Sequence, residues 1–304
     1  MPESFELSEF LSDARACFET GHAGTAVDIL LEALDAFDRM PEAAERIRAM
    51  LADICCSFWN GPAQDEGRQL TERVVSDALR RTGADVEPAY LALYAEACVL
   101  TGSSPFPARR ALRHRNLVGL FRQVTAAAPG EVAECGCARG LSFVQLCLAH
   151  RETHPGWRGE GFHIFDSFEG LSAPVAEDLA FTDVADAAVA RANMAQGHFA
   201  FALDVVRGNV HPRFPRVALH PGWIPQSLAA QPERTYRFVH LDVDLYEPTR
   251  GGLEYFVPRL AAGGMVVTDD YNWPGAKKAF DDFCRDAGLA VQVTDTSQAY
   301  AVKN

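Results

Sequence analysis

Residues 132–140 read Val-Ala-Glu-Cys-Gly-Cys-Ala-Arg-Gly, and the fold turns on how they are understood. An apolar run, Val132 to Glu134, meets a turn bracketed by Gly136 and Gly140, and a helix is expected from about Leu141 and Ser142. Glycine lets the backbone turn tightly and approach a ligand, and open α/β sheets bind ligands beyond the carboxyl ends of their strands. Alone, G-x-x-x-G is a weak signal that an ordinary turn also produces. Two acids strengthen it. Glu134 ends the run just before the loop, where a carboxylate can meet the cationic amino end of a methyl donor. Asp166 ends the next run in Phe165-Asp166-Ser167, where an acid can accept both ribose hydroxyl protons. A dinucleotide pyrophosphate instead wants G-x-G-x-x-G and an open helix N-terminus, which Ala138 and Arg139 fit less well.

Outward from this loop, helix-like stretches alternate with short apolar runs at Phe162–Phe165, Val217–Leu219, Arg237–Leu241 and Met265–Thr268. That alternation predicts a parallel sheet covered by helices. The tail breaks the rhythm: Leu289–Thr294 and Gln298–Val302 read as two strands of a terminal hairpin. A parallel sheet ending in an antiparallel hairpin is the Rossmann-like plan of class I methyltransferases, so the expected fold is α/β of that class. Upstream the pattern is helical throughout, with apolar residues such as Ala26, Ile29, Leu30, Leu34 and Phe37 at helical spacing. The pair of segments around Gly21 bears a faint likeness to a tetratricopeptide hairpin, but no clear 34-residue self-match follows, and a plain helical cap is expected. Thr101 to Pro107 is the natural linker, giving an all-α region over 1–105 and an α/β domain over 106–304.

The formal net charge of −13 argues against a surface that tracks phosphates, and so against nucleic acid as a partner. The eight cysteines contain no C-x-x-C pair and are expected as mostly buried free thiols in a reducing compartment. Met1 to Leu11 is acidic where a signal peptide is basic, and no apolar run approaches membrane length. No membrane association and a cytoplasmic location are the expectations.

The chemistry concentrates in two further blocks. Asp242 and Asp244 end one run in His-Leu-Asp-Val-Asp-Leu, and Asp269 and Asp270 end the next in Val-Val-Thr-Asp-Asp. Neighbouring parallel strands place their ends about 5 Å apart, so the carboxylates crowd one rim. Any one aspartate is explained as the cap of a following helix; four on adjacent strands are not, because like charges at that range repel strongly. A hard divalent cation with oxygen ligands explains them, and Mg²⁺ suits a site with positions open to substrate. A metal there lowers the pKa of a bound hydroxyl, which can attack the donor methyl in line. The base is Asp242 or Asp244 on proximity, with His198 or His163 as alternatives, although a lone histidine is more often structural.

In order and spacing, the blocks at 132–140, 165–171 (FDSFEGL), 220–228 (HPGWIPQSL), 240–249 (HLDVDLYEPT) and 263–283 (GGMVVTDDYNWPGAKKAFDDF) resemble the macrocin-type sugar O-methyltransferases of macrolide and aminocoumarin biosynthesis. The resemblance covers about 115–304. It implies S-adenosylmethionine and Mg²⁺ as cofactors, methylation of one hydroxyl of a vicinal diol on a sugar or other small-molecule acceptor, and a homo-oligomer. By motif, it places the metal on Asp242, Asp269 and Asp270. It places the donor on Glu134, Cys135, Gly136, Ala138, Gly140, Ser142, Asp166 and Ser167, with Gly222 and Trp223 near the adenine. Cys137 stands where the family usually carries Trp or a similar residue, and the helical region is longer than the family's usual N-terminus. The polar stretch Ser172–His198 is expected as a wall over the acceptor or a surface helix. Two other readings compete: a helical interaction protein with a vestigial methyltransferase domain, and a nicotinamide oxidoreductase.

Overall fold

The expected apolar runs become β1 (Glu131–Cys135), β2 (Phe162–Asp166), β3 (Ala218–Pro221), β4 (Tyr236–Leu241) and β5 (Leu260–Thr268), and the tail becomes β6 (Gln292–Val293) and β7 (Ala299–Val302). The computed structural model describes residues 2–37, 39–181 and 194–304. One seven-stranded sheet runs in the order β3-β2-β1-β4-β5-β7-β6. The first five strands pair in parallel, and β7 lies antiparallel to both β5 and β6. This is the expected class I methyltransferase sheet with its closing hairpin.

Two boundaries differ from the sequence reading. β5 begins at Leu260 rather than Met265, because Ala261 to Gly264 carry no apolar signal and are recruited by backbone pairing alone: Gly263 N–H donates to Lys303 O, and Lys303 N–H donates to Gly264 O. β6 shrinks to two exposed residues, as an edge strand with little to bury can.

The chain divides into two compact units, Met1–Leu112 and Arg113–Asn304. The first contains α1 (Pro2–Glu19), α2 (Ala23–Phe37), α3 (Pro41–Cys56), α4 (Gln64–Arg81) and α5 (Pro88–Thr101). Val27, Leu30 and Leu34 of α2 pack with Ile47, Leu51 and Ile54 of α3 and with Leu70 and Val74 of α4. Arg81 bridges Asp77 and Asp35 at 2.5 and 2.6 Å, tying α4 to α2. The division falls inside α6 (Arg109–Ala127).

In the second unit the sheet is covered by Phe121 of α6 together with α7 (Leu141–Thr153) on one face, and by α10 (Tyr246–Phe256) and α11 (Pro274–Ala287) on the other; α8 (Leu203–Val210) and the short α9 (Gln226–Ala229) come between α7 and α10 in the chain. Phe121 meets Phe162 and Phe238 edge-on, with ring centroids 6.0 and 5.4 Å apart. On the other face Leu253, Phe256 and Phe280 pack against Val239, Leu241 and Val266. All eight cysteines are free, and six are buried. Among the described residues no helix is long and apolar enough to cross a membrane. The expected acceptor wall, Ser172–His198, includes 182–193, which lie outside the described residues.

Candidate active site

Strand register assembles the site. Cys135 pairs with Phe165 on one side and Leu241 on the other, and Leu241 pairs with Thr268. The next residues outward, Asp166, Gly136, Asp242 and Asp269, therefore stand in a row along the carboxyl edge, about 4.8 Å from strand to strand. Gly136 shows how close this row is. Its φ is +78°, and a Cβ there would lie 1.9 Å from the carbonyl oxygen of Asp242. Only glycine lets the loop after β1 press against the end of β4.

The loop is fixed by its neighbours. Gly136 N–H donates to Phe165 O at 2.9 Å, and Cys137 N–H donates to Asp166 Oδ2 at 2.7 Å. Ala138 has φ +46° and Gly140 φ +91°, Gly140 being the N-cap of α7. Asp166 Oδ1 accepts from Phe168 N–H at 2.7 Å. Each oxygen of Asp166 keeps a further lone pair, so the carboxylate is held rigid yet can still accept from a ribose. Ser167 Oγ donates to Gly170 O at 2.8 Å and accepts from Glu169 N–H at 3.0 Å, which shapes the turn beyond it. Gly222 N–H donates to Asp166 O at 2.9 Å, so the backbone of Gly222 comes back beside Asp166.

Beneath the loop lies a line of buried charge on one face of the sheet. Glu134 is directly opposite His240 in the β1–β4 register, and His240 Nδ1 donates to Glu134 Oε1 at 2.7 Å. His240 Nε2 is 3.1 Å from Asp269 Oδ1. Burial alone disfavours a charged imidazole, but Asp269 and Glu134 on either side raise the His240 pKa well above its usual value. Burial raises Glu134 despite its bond to His240, and Oε2 of Glu134 has no partner among the described residues.

The four rim aspartates are not equivalent. Asp269 is fully buried, with Oδ2 2.9 Å from Arg113 Nε and Oδ1 accepting from Gln298 Nε2 at 2.5 Å. Burial would raise its pKa, yet Arg113 and His240 outweigh it and hold the group below the usual carboxylate range. The other three go the opposite way. Burial, then the charge of Asp269, pushes Asp242 up to about 7. Burial pushes Asp244 up to about 6 against the favourable charge of Arg113. Asp270 is raised well above the ordinary value by burial and then by Asp244 and Asp242. Asp270 Oδ2 accepts from Asp244 N–H at 2.8 Å, and Asp244 has φ +59°, a left-handed conformation that a non-glycine residue adopts only when held.

A divalent cation fits this rim. The rim offers carboxylate oxygens with the His240 ring beside them, and three of the four acids carry a like-charge penalty that bound positive charge would relieve. His240, Asp242 and Asp269 each offer one ligand atom within 4.8 Å of the others. Of the motif trio, Asp242 and Asp269 thus come together with His240, while Asp270 turns toward the backbone of Asp244. His198 is half-buried and its charge acts on Asp244. His163 lies elsewhere, bonded through Nε2 to Glu131 Oε2 at 2.8 Å and through Nδ1 to His220 at 3.0 Å.

Sequence reasoning missed Arg113, His240 and Gln298 as site residues. His240 left a trace, since it stands two residues before Asp242 in a strand and so on the same face. Arg113 left none, because in Arg-Arg-Ala-Leu-Arg-His-Arg it is indistinguishable from a solvated helix face.

The TylF family model, described as macrocin-O-methyltransferase, matches residues 51–301. The 8-demethyl-8-(2,3-dimethoxy-alpha-L-rhamnosyl)-tetracenomycin-C 4'-O-methyltransferase of Streptomyces olivaceus is 32% identical over 174 residues, 55% of this chain and 62% of that protein. The mycinamicin III 3''-O-methyltransferase of Micromonospora griseorubida is 25% identical over 176 residues, 55% of this chain and 65% of that protein. The chain thus spans under two thirds of the length of these relatives. The structure of the O-methyltransferase NovP superposes with a TM-score of 0.52 at 25% identity, covering 63% of this chain and 79% of NovP. The calicheamicin methyltransferase CalS11 shares the fold, with a TM-score of 0.51 at 21% identity over 72% of this chain and 94% of its own.

Proposed function

This chain belongs to the macrocin-O-methyltransferase family, and we propose that it transfers a methyl group from S-adenosylmethionine to a hydroxyl of a sugar or other diol-bearing small molecule, with Mg²⁺ at the aspartate rim. One observation carries the reading. The turn that would hold the donor touches the strand end that carries the rim acids, Gly136 against Asp242 O, so donor and acceptor sites share one edge and in-line transfer needs no long reach.

Glu134 is the buried acceptor that a donor ammonium requires: its Oε2 makes no full hydrogen bond among the described residues, with the Ser142 hydroxyl near the carboxylate. Asp166 is anchored by two backbone N–H groups and is left to accept ribose hydroxyls. Asp242 and Asp269, which come together beside His240, and by motif Asp270 through the oxygen not bonded to Asp244 N–H, would hold Mg²⁺, which when bound supplies the charge that acidifies an acceptor hydroxyl. Asp244 takes the hydroxyl proton in this reading. Its raised pKa, about 6, keeps it mostly ionised at neutral pH while making it a better base than an ordinary aspartate. His198, whose charge acts on Asp244, is placed to steady the ionised base. The named substrate of one relative carries a rhamnosyl group, which supports a sugar as the acceptor class here.

Methyl transfer from labelled S-adenosylmethionine to rhamnosylated natural products, with and without chelator, tests the proposal. Activity lost in chelator, restored by Mg²⁺ and reduced about 100-fold or more in Asp244→Asn is expected. Full turnover in chelator would remove the metal from the mechanism, and donor binding without turnover on any hydroxyl acceptor would remove the reaction.

A further inference from the structure

Asp178 sits in the short 3-10 turn Ala176–Leu179, in the segment that follows β2, and is only 1% exposed. A buried carboxylate must be bonded. Asp178 Oδ2 accepts from Val175 N–H at 2.8 Å, and Oδ1 accepts from Tyr246 N–H at 2.7 Å. Tyr246 is the first residue of α10, where N–H groups have no intrahelical partner, and no side chain at the N-cap position, Leu245, supplies one. The cap comes instead from 68 residues earlier in the chain. Gly275, at the start of α11, makes room for it: a Cβ there would lie 1.8 Å from Asp178 Oδ1.

The Asp178 carboxylate is thus wedged between the first turns of the two helices that begin just beyond Asp244 and just beyond Asp270. The stretch it reaches is strained. Asp244 is left-handed, and Leu245 N–H folds back onto Val243 O at 2.6 Å. Asp270 holds this turn at its start, through Asp244 N–H, and Asp178 holds it at its end, through Tyr246 N–H.

We propose that Asp178 is a positioning residue for Asp244: it locks the Val243–Tyr246 turn so that the Asp244 carboxylate faces the reacting hydroxyl, and it ties that alignment to the segment after β2. The second half of this statement rests on the reading of Asp244 as the base; the hold on the turn does not. Asp178 bonds Val175 N–H and Tyr246 N–H and none of Glu134, Gly136, Asp166 or Gly222, so donor affinity is expected to be independent of it.

The test uses the full chain as wild type, Asp178→Asn, Asp178→Ala and Gly275→Ala. Amide hydrogen exchange is followed across Asp244–Tyr246 with S-adenosylmethionine bound, donor affinity is measured by calorimetry, and turnover is measured on methyl α-L-rhamnoside and on rhamnosylated natural products. In Asp178→Ala and Gly275→Ala, exchange at Tyr246 quickens about tenfold or more, as expected for loss of one buried hydrogen bond. Donor affinity stays within about twofold and kcat falls about 10- to 100-fold, the cost of a misplaced group. Asp178→Asn, which keeps one acceptor oxygen, falls between and guards against a variant that fails to fold. Unchanged exchange at Tyr246 overturns the proposal, and so does loosening of the whole unit with donor affinity falling in step. If wild type methylates no hydroxyl acceptor while the exchange contrast holds, the proposed reaction fails and the hold on the turn stands.

Discussion

Replacing Gly136 with alanine tests whether the loop proposed to hold the donor and the acid rim are one structure. The added Cβ would lie 1.9 Å from Asp242 O, 2.8 Å from Asp242 C and 3.2 Å from Val243 Cγ1. Relieving the first contact requires the loop and the end of β4 to part by more than about 1 Å, and neither is a flexible side chain; overpacking of this kind costs about 1–3 kcal/mol. The left-handed φ of +78° adds about 1–2 kcal/mol for any residue with a Cβ. Together roughly 2–5 kcal/mol are lost, which lowers the melting temperature by about 5–15 °C for a unit of this size. Donor affinity falls as well, because the displaced loop no longer brings its backbone up to the ligand. Calorimetric titration with S-adenosylmethionine and a thermal melt read both effects. Gly140→Ala is the control: its φ is +91° but its Cβ would meet only Val210 Cγ2, at an ordinary 3.5 Å. It carries the conformational cost alone and should lose about 1–2 kcal/mol. If Gly136→Ala binds the donor as wild type does, or if Gly140→Ala is equally damaging, the loop is not pressed against β4 and the shared edge is wrong.

Two further predictions concern pH. Asp242 and Asp244 are pushed up to about 7 and about 6, above the ~3.9 of an unfolded aspartate, so the folded chain retains protons that the unfolded chain releases. Metal-free protein should therefore lose stability as pH rises from about 4 to about 7, and Mg²⁺, which takes the ionised carboxylates, should raise the melting temperature more at pH 8 than at pH 5. A shift from Mg²⁺ that is the same at both would count against a carboxylate site. His150 behaves oppositely: burial, then the charge of Arg237, lowers it to about 4, below the ~6.5 of the unfolded residue, so its neutral form is favoured on folding and stability falls as pH drops from about 6.5 to about 4. His150→Phe, placed among Phe121, Trp157 and Phe162, should flatten part of that acid limb, and a melt series identical to wild type below pH 6.5 would refute it.

The sheet was legible because its central strands are buried on both faces and so read as continuous apolar runs. The same physics hid what was missed. Ala261 to Gly264 join β5 through backbone bonds alone, and such bonds leave no hydrophobic trace. The rim could be foreseen from chain position, since Asp242 and Asp269 each follow the last residue of adjacent strands that pair at Leu241 and Thr268. What no strand pattern contains is the cation beside Asp269. Arg113 arrives from α6 and Gln298 from the tail turn, brought there by packing at long range in sequence.

That hidden part changes what the motif means. Four aspartates read as letters suggest four equal ligands awaiting one ion. Arg113, Gln298 and His240 instead engage Asp269 from two sides and hold it ionised, while Asp242, Asp244 and Asp270 are left to repel one another. Asp269 is therefore a fixed reference, and the strain of the cluster falls on the other three. Positive charge arriving at the rim would gain most where the penalty is greatest, at Asp242 and Asp270, so if a cation binds there as proposed, those two carboxylates, rather than Asp269, should set its affinity. Because His240 is bonded to Glu134 on its far side, the same buried line that fixes Asp269 also fixes the acid that ends β1. The loop after β1 and the aspartate rim are thus built on one buried row of charged side chains, Glu134, His240 and Asp269, which a motif scan reads as two separate blocks.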